Sequence, residues 1–248
     1  MVSFWRVVNE VIRDSDVILE VLDARFLEQT RNKEIEEKIA KCRNKKLIFV
    51  LNKSDLLNVR FSEVKFDREP YVFVSAKENL GTTKLRILLR ECIKDKPIIV
   101  GVLGFPNTGK SSLINTLRHK KVSLTSPNPG FTRGMQKIKI SKDIYLMDTP
   151  GVFSYGERNE KENALTNVKD YRKVKDPETV ALEILRKVIE SDPRLLEALY
   201  KVKPKEDPEE TLELIARKFN WIIKGGKPNI DQTARKIIQD WQRGKIIL

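Results

Sequence analysis

Two short segments have residue types at spacings that do chemistry. GFPNTGKS, residues 104–111, satisfies G-x-x-x-x-G-K-[ST] in full, after an apolar run and before a helical stretch. Gly104 and Gly109 let such a loop curl, so that the backbone N–H groups of Asn107, Thr108 and Gly109 and the helix start face phosphate oxygens. Lys110 then reaches the β- and γ-phosphates, the Ser111 hydroxyl coordinates Mg²⁺, and Ser112 donates to the α-phosphate. Downstream, DTPG (148–151) places Asp148 at the end of an apolar strand, where it holds the metal through a water, and the Gly151 N–H where it meets a γ-phosphate. Between them PGFTRG (129–134) supplies Thr132, a second Mg²⁺ ligand on a switch-like segment. Lys110 and Thr132 are the candidates for work at the reacting phosphate.

The second segment is Asn52-Lys53-Ser54-Asp55, of the form N-K-x-D. A carboxylate at Asp55 accepts from the ring N–H and exocyclic amine of guanine together. Adenine offers a lone pair and a C–H there, which leaves the carboxylate desolvated without a partner, at a cost on the order of several kcal/mol. Asn52 can bond the edge of the base and brace the phosphate loop, and the stem of Lys53 lies along the ring. Ser75-Ala76-Lys77 follows another strand, and the Ala76 N–H can donate to the guanine carbonyl oxygen. Alone, N-K-x-D is also a surface turn and S-A-K is uninformative. With a phosphate loop in the same chain they select GTP over ATP.

The elements that must hold these residues are legible in outline. Apolar runs at 16–24, 46–52, 71–75 and 97–104 read as strands buried on both faces, separated by helices at about 32–43 and 81–94 and preceded by an amphipathic helix at 3–13, with Ser3 a candidate cap. Such alternation predicts an α/β fold with a mostly parallel sheet. A helix follows the phosphate loop to about 119, and MQKIKI (135–140) and DIYLMD (143–148) read as a hairpin turning at Ser141-Lys142. From 177 onward no convincing strand remains. Asp-Pro at 176–177, 192–193 and 207–208 marks three helix starts, Asp as cap and Pro at the first helical position. Gly225-Gly226 is read as the stop of the third helix, and a fourth covers about 230–242. The expected division is a nucleotide domain at 1–155 and a small all-α domain at 156–248.

Composition sets the class of partner. The 248 residues carry a formal charge of +13, with 33% charged and 40% hydrophobic residues. The excess is regional: residues 101–150 hold eight Lys/Arg against two Asp/Glu, and residues 201–248 hold eleven against seven. A basic excess of this kind favours an acidic polymer, though a solvated lysine-rich face has the same composition. In the tail the basic set is Lys201, Lys203, Lys205, Lys224, Lys227, Arg235, Lys236 and Arg243. Cys42 and Cys92 form neither a disulfide framework nor a metal spacing. Glu10 and Asp14 interrupt the first segment where a signal peptide stays apolar, and the longest apolar run, IIVGVLGF, is too short to span a bilayer. The expectation is a cytoplasmic protein with no membrane partner.

The order of the motifs is rotated. Ordinary GTPases run phosphate loop, switch Thr, DTPG, N-K-x-D, S-A-K; this chain runs N-K-x-D, S-A-K, phosphate loop, switch Thr, DTPG. Residues 1–155 thereby resemble the circularly permuted GTPases of the YlqF/YawG family, which act in assembly of the large ribosomal subunit. Asp23-Ala24-Arg25 looks like that family's D-A-R motif and Arg31-Asn32 like its R-N, with Leu27 where the family commonly has Pro. The resemblance implies a GTP/GDP switch with Mg²⁺ and a helical tail that binds ribosomal RNA of the large subunit or its precursor. No DNA partner is expected, and Val152 leads to the expectation of slow intrinsic hydrolysis. The resemblance also implies a role for Asn107, which matches the Asn with which similar GTPases bind a potassium ion bridging the phosphates; the plainer reading is a turn-favouring Asn. Val152 replaces the Gln that orients water in many GTPases. His119, the only histidine, is read as a helix C-terminal residue, and Arg133 as a contact to phosphate, of nucleotide or of RNA. A GTP-dependent adaptor that binds a protein with little catalysis is the alternative; a kinase is disfavoured by N-K-x-D.

Overall fold

The structure is a computed structural model that describes residues 4–118, 136–148, 164–166 and 169–247. Ser3, His119, Thr132, Arg133, Gly151 and Val152 lie outside the described residues, as does the side chain of Asp148. The chain divides into two compact units, Met1–Gly156 and Glu157–Leu248.

The first unit is a six-stranded sheet covered on both faces. Its strands are β1 (Val17–Asp23), β2 (Lys46–Asn52), β3 (Tyr71–Val74), β4 (Ile98–Leu103), β5 (Gln136–Ser141) and β6 (Ile144–Asp148), in the order β3-β2-β1-β4-β6-β5. All neighbours are parallel except β5, which pairs antiparallel with β6 at one edge. All seven residues of β1 are buried, as a central parallel strand covered on both faces requires. Val17, Leu19 and Val21 pack with β4 under α4 (Thr82–Glu91) and α5 (Lys110–Leu117), through Leu85, Leu89, Leu113 and Leu117. Ile18 packs on the other face with Val8, Val11 and Ile12 of α1 (Phe4–Asp14) and Ile35 and Ile39 of α3 (Lys33–Ala40). A short α2 (Leu27–Thr30) precedes α3.

One member of β1 breaks this apolar pattern. Glu20 is fully buried, its Oε1 accepts from the Asn32 N–H at 2.8 Å, and its Oε2 has no partner among the described residues. Burial lifts this carboxyl to about 8, against the hydrogen bond from Asn32, which lowers it. The raised value means that the fold favours the protonated form. The stabilisation is complete below the unfolded value near 4.3 and is lost as pH rises toward 8, at about 1.4 kcal/mol per pH unit. Glu20→Gln keeps the acceptor for Asn32 and cannot ionise. Chemical denaturation is expected to find the variant close to the parent chain at pH 5 and clearly more stable at pH 8; parallel pH profiles would show that Glu20 is not protonated in the fold.

The second unit contains α6 (Pro177–Ser191), α7 (Arg194–Tyr200), α8 (Pro208–Lys218) and α9 (Ile230–Gln242), packed through Ile184, Leu185, Leu212, Ile215, Ile237 and Ile238. Asp176 and Asp207 cap α6 and α8, accepting from the N–H groups of Thr179 and Glu209, with Pro in the first turn. Asp192 behaves differently: it ends α6, and its carboxylate turns the chain by accepting from the Arg194 N–H. The helix α8 stops at Lys218, earlier than its apolar spacing predicts. Asn220 turns left-handed (φ 54°), and Ile222–Ile223 pairs antiparallel with Lys227–Pro228, so Gly225-Gly226 is the turn of a small ribbon and not a helix stop. The other described elements of this unit are helical. Asp240, buried in α9, accepts from the Tyr200 hydroxyl at 3.0 Å and pairs with Lys236 and Lys245.

Candidate nucleotide-binding site

Parallel strands deliver their C-terminal ends to one edge of a sheet, and ligands of open α/β folds bind there. Here β1 ends at Asp23, β2 at Asn52, β3 at Val74 and β4 at Leu103. The register sets Asp23 beside Asn52 and Asn52 beside Val74, so the D-A-R, N-K-x-D and S-A-K segments emerge side by side. The phosphate loop leaves β4 next to them.

The loop is shaped by its glycines. Gly104 has φ 142° and a Cβ there would lie 2.4 Å from the Val21 carbonyl oxygen; Gly109 has φ 94° and a Cβ would lie 2.2 Å from Asn52 Nδ2. Lys110 Nζ donates to the carbonyls of Gly104 (2.9 Å) and Phe105 (2.6 Å), and burial lowers its ammonium to about 8. Such a cation, held over its own loop, is suited to take a phosphate. Ser111 and Ser112 are exposed in the first turn of α5. Thr108 is buried, its hydroxyl donating to the Phe105 carbonyl at 3.0 Å. Asn107 is exposed and left-handed (φ 57°), the conformation a turn-favouring Asn adopts at low cost.

Asn52 ties the base-binding loops to the phosphate loop. It is 2% exposed; its Nδ2 donates to the Thr108 carbonyl at 2.7 Å and its Oδ1 accepts from the Ala76 N–H at 3.1 Å. A second tie runs from the Thr116 hydroxyl in α5 to the Ala76 carbonyl at 2.9 Å. The bracing of the phosphate loop is the one the sequence predicts. The Ala76 N–H, expected to face guanine, is here a donor to Asn52. Ser75 is buried and its hydroxyl accepts from the Glu78 N–H, while Lys77 is exposed and pairs with Glu78 at 3.1 Å.

Lys53 turns left-handed (φ 62°) and its Nζ donates to Asp23 Oδ2 at 2.8 Å. The same carboxylate takes Arg25 Nε at 3.0 Å and Nη2 at 2.8 Å. Burial by itself pushes Asp23 up, but the hydrogen bond from Arg25 and the charges of Lys53 and Arg25 outweigh it and hold the carboxyl below the usual range. Burial lowers Lys53, with the charge of Asp23 opposing. Asp23 is thus the anchor that sets the direction of the Lys53 stem. The sequence displays the D-A-R residues but not this role, because the pairing depends on the parallel register. Asp55 follows in a single 3-10 turn, Ser54–Leu56, and is partly exposed. Arg31 of the R-N pair grips Glu36 with two nitrogens at 2.9 Å each and reaches Glu28 at 2.7 Å, while Asn32 caps α3.

The donors fit magnesium. Exposed hydroxyl oxygen at Ser111, beside a place for phosphate oxygens and water, is the hard, sparsely protein-ligated set that ion takes. Among the described residues no group of three or more His, Cys, Asp or Glu gathers to hold a metal by itself. Nor is any described helix long and apolar enough to cross a membrane.

The rotated motif order, the mostly parallel sheet and the convergent loops define a circularly permuted P-loop GTPase fold. The family described as 50S ribosome-binding GTPase matches residues 99–219. That match begins in β4, leaving N-K-x-D and S-A-K upstream of it. A GTP-binding protein of Methanocaldococcus jannaschii is 41% identical over 246 residues, covering 97% of this chain and 65% of that protein. Nucleolar GTP-binding protein 2 of Saccharomyces cerevisiae is 37% identical over 254 residues, covering 98% of this chain and 52% of its own length. The chain therefore spans about two thirds of the first relative and about half of the second. Two solved structures of YlqF from T. maritima, titled as GNP-bound and GDP-bound, share the fold at TM-scores of 0.65 and 0.67, each 22% identical and covering 97% and 96% of this chain and 94% of theirs. The chain shares the circularly permuted GTPase fold of the YlqF structures and is similar in sequence to GTP-binding proteins.

Proposed function

We propose that the protein binds GTP and Mg²⁺, hydrolyses GTP slowly, and works as a nucleotide-gated factor on the large ribosomal subunit or its precursor. The observation that carries the nucleotide reading is the double brace of Asn52, which unites the N-K-x-D, S-A-K and phosphate-loop segments into one site. In this reading Asp55 selects guanine, with Lys53 along the ring and Ser75, Ala76 and Lys77 at its carbonyl edge. Asn107, Thr108, Gly109, Lys110 and Ser112 hold the phosphates. Ser111, Thr132 and Asp148 hold Mg²⁺, which when bound neutralises charge on the β- and γ-oxygens. Asn107 is also the candidate ligand of a potassium ion.

Within the proposed division, residues 1–155 form the nucleotide domain and 156–248 bind ribosomal RNA. The ribosomal assignment follows from the names of the matched family and of the nucleolar relative, and from the basic charge. Because of the permutation, the sequence after Gly151 leads on to the second unit. A shift of Gly151 on γ-phosphate binding is thereby passed along the chain through 152–176.

The test is co-sedimentation of the purified protein with large ribosomal subunits in a non-hydrolysable GTP analogue and in GDP. Pelleting with the analogue and release in GDP is the expected result. Failure in both states, with normal GTP binding and with assembly intermediates also ignored, would overturn the ribosomal assignment and leave the protein-adaptor reading.

A further inference from the structure

The ribbon after α8 is the part of the second unit that its own core does not explain. From Arg217 to Asn229 the sequence reads RKFNWIIKGGKPN, with four basic residues and no acidic one. Phe219, Ile222 and Ile223 are 42%, 37% and 48% exposed, large apolar side chains clustered where an isolated unit gains nothing from them. The Phe219 and Trp221 rings stack with centroids 5.0 Å apart and 21° between planes. The segment is held in place by its backbone: the Trp221 N–H donates to the Ala216 carbonyl at 2.9 Å and the Asn229 N–H to the Trp221 carbonyl at 2.8 Å. At the tip Gly225 and Gly226 have φ 92° and 74°, and a Cβ added to either would meet nothing within 4 Å, so another chain can approach the backbone there. Lys218, Lys224 and Lys227 are exposed and have no carboxylate within ion-pairing distance among the described residues.

Two other cations of the tail are committed elsewhere. Arg235 is spent on Asp231 and on the carbonyls of Tyr171 and Val174, and Lys236 on Asp240. We infer that the ribbon, residues 217–228, is the RNA-contacting surface of the second unit and takes an unpaired segment of RNA. An exposed base stacks on the Phe219–Trp221 pair, and Lys218, Lys224 and Lys227 track the neighbouring phosphates. Aromatic rings beside free lysines match single-stranded RNA better than duplex, whose bases are already stacked and whose deep groove admits no side chain. This surface presupposes the RNA-binding reading above and gives it an address.

The test uses the full-length chain and fluorescence anisotropy with two labelled RNAs, a stem with a single-stranded loop and the same stem as a blunt duplex. The loop RNA is expected to bind more tightly. Trp221→Ala, which leaves the backbone hydrogen bonds in place, is expected to weaken it by roughly tenfold to a hundredfold while changing the duplex little. Lys224→Ala with Lys227→Ala, at exposed positions without a role in folding, is expected to reduce the slope of log K against log salt by about 1.4. Variants that bind loop RNA with parental affinity and salt slope, while the parent still pellets with large subunits, would overturn the ribbon assignment and leave the broader reading standing. A parent chain that binds neither RNA nor subunits would overturn both. Vesicles containing anionic lipid form the third arm: Trp221-dependent binding to them without binding to loop RNA would make this a lipid-facing surface and end the proposal.

Discussion

Asp55→Asn is expected to exchange guanine for xanthine as the preferred base. The carboxylate accepts two charge-assisted hydrogen bonds from guanine, each worth about 1.5–3 kcal/mol. An amide keeps one acceptor for the ring N–H and turns an N–H₂ group toward the exocyclic amine, donor against donor. Loss of about 3–6 kcal/mol corresponds to a fall in GTP affinity of about 10²- to 10⁴-fold. Xanthine carries a carbonyl where guanine carries the amine, so the same amide donates to it, and affinity for xanthosine triphosphate rises correspondingly. Asp55 lies partly exposed in a 3-10 turn, and the substitution leaves the fold intact. Titration of parent and variant with fluorescent guanosine and xanthosine nucleotides, alongside thermal melts without nucleotide, reads this directly. Undiminished GTP affinity in the variant would remove Asp55 from the base site.

Much of the site was legible because its chemistry is local. A strand, six loop residues and a helix start are contiguous, and the glycines announce themselves through a fixed spacing; the structure gives both of them positive φ. The strands β1 to β4 were legible because both faces are buried, which writes continuous apolar runs. What stayed hidden depends on neighbours far apart in sequence. Nothing local to Asp23 says that Lys53, thirty positions on, will share its carboxylate; the parallel register of β1 and β2 decides it. Arg235 and Lys236 look like solvated cations in sequence, and only the packing of α9 reveals the acceptors they meet.

The end of α8 shows the converse error, a pattern that continues after the element has stopped. Phe219 and Ile222 extend the spacing of Leu212 and Ile215 by helical steps, but they are exposed and not core. Asn220 tolerates the left-handed turn that ends the helix, and a ribbon of two residues per strand is too short to write an alternation. Permutation, by contrast, costs the sheet nothing. β4 still lies between β1 and β6, and its parallel register with β1 pairs Val17 with Val100 and Glu20 with Leu103. Only the connections between strands have moved, which is why rotated motifs converge on one edge.

Asn52 is where that convergence can be broken with one side chain. Asn52→Ala removes a donor from the Thr108 carbonyl and an acceptor from the Ala76 N–H, both at a buried position. Each group left without a partner costs about 1–3 kcal/mol, so the nucleotide-free protein is expected to lose about 2–6 kcal/mol of stability. Asn52→Asp is the sharper probe. It retains the acceptor for Ala76 but sets a carboxylate oxygen against the Thr108 carbonyl, where the native donor–acceptor distance is 2.7 Å. That oxygen can bridge only by taking a proton, so the aspartate variant is expected to gain stability on acidification where the alanine variant does not. Both are expected to bind GTP at least a hundredfold more weakly, since the loops they unmoor hold opposite ends of the nucleotide. Melting curves without nucleotide distinguish the cause. If affinity falls while stability does not, Asn52 acts on the base alone; if stability falls first, the brace itself is what assembles the pocket.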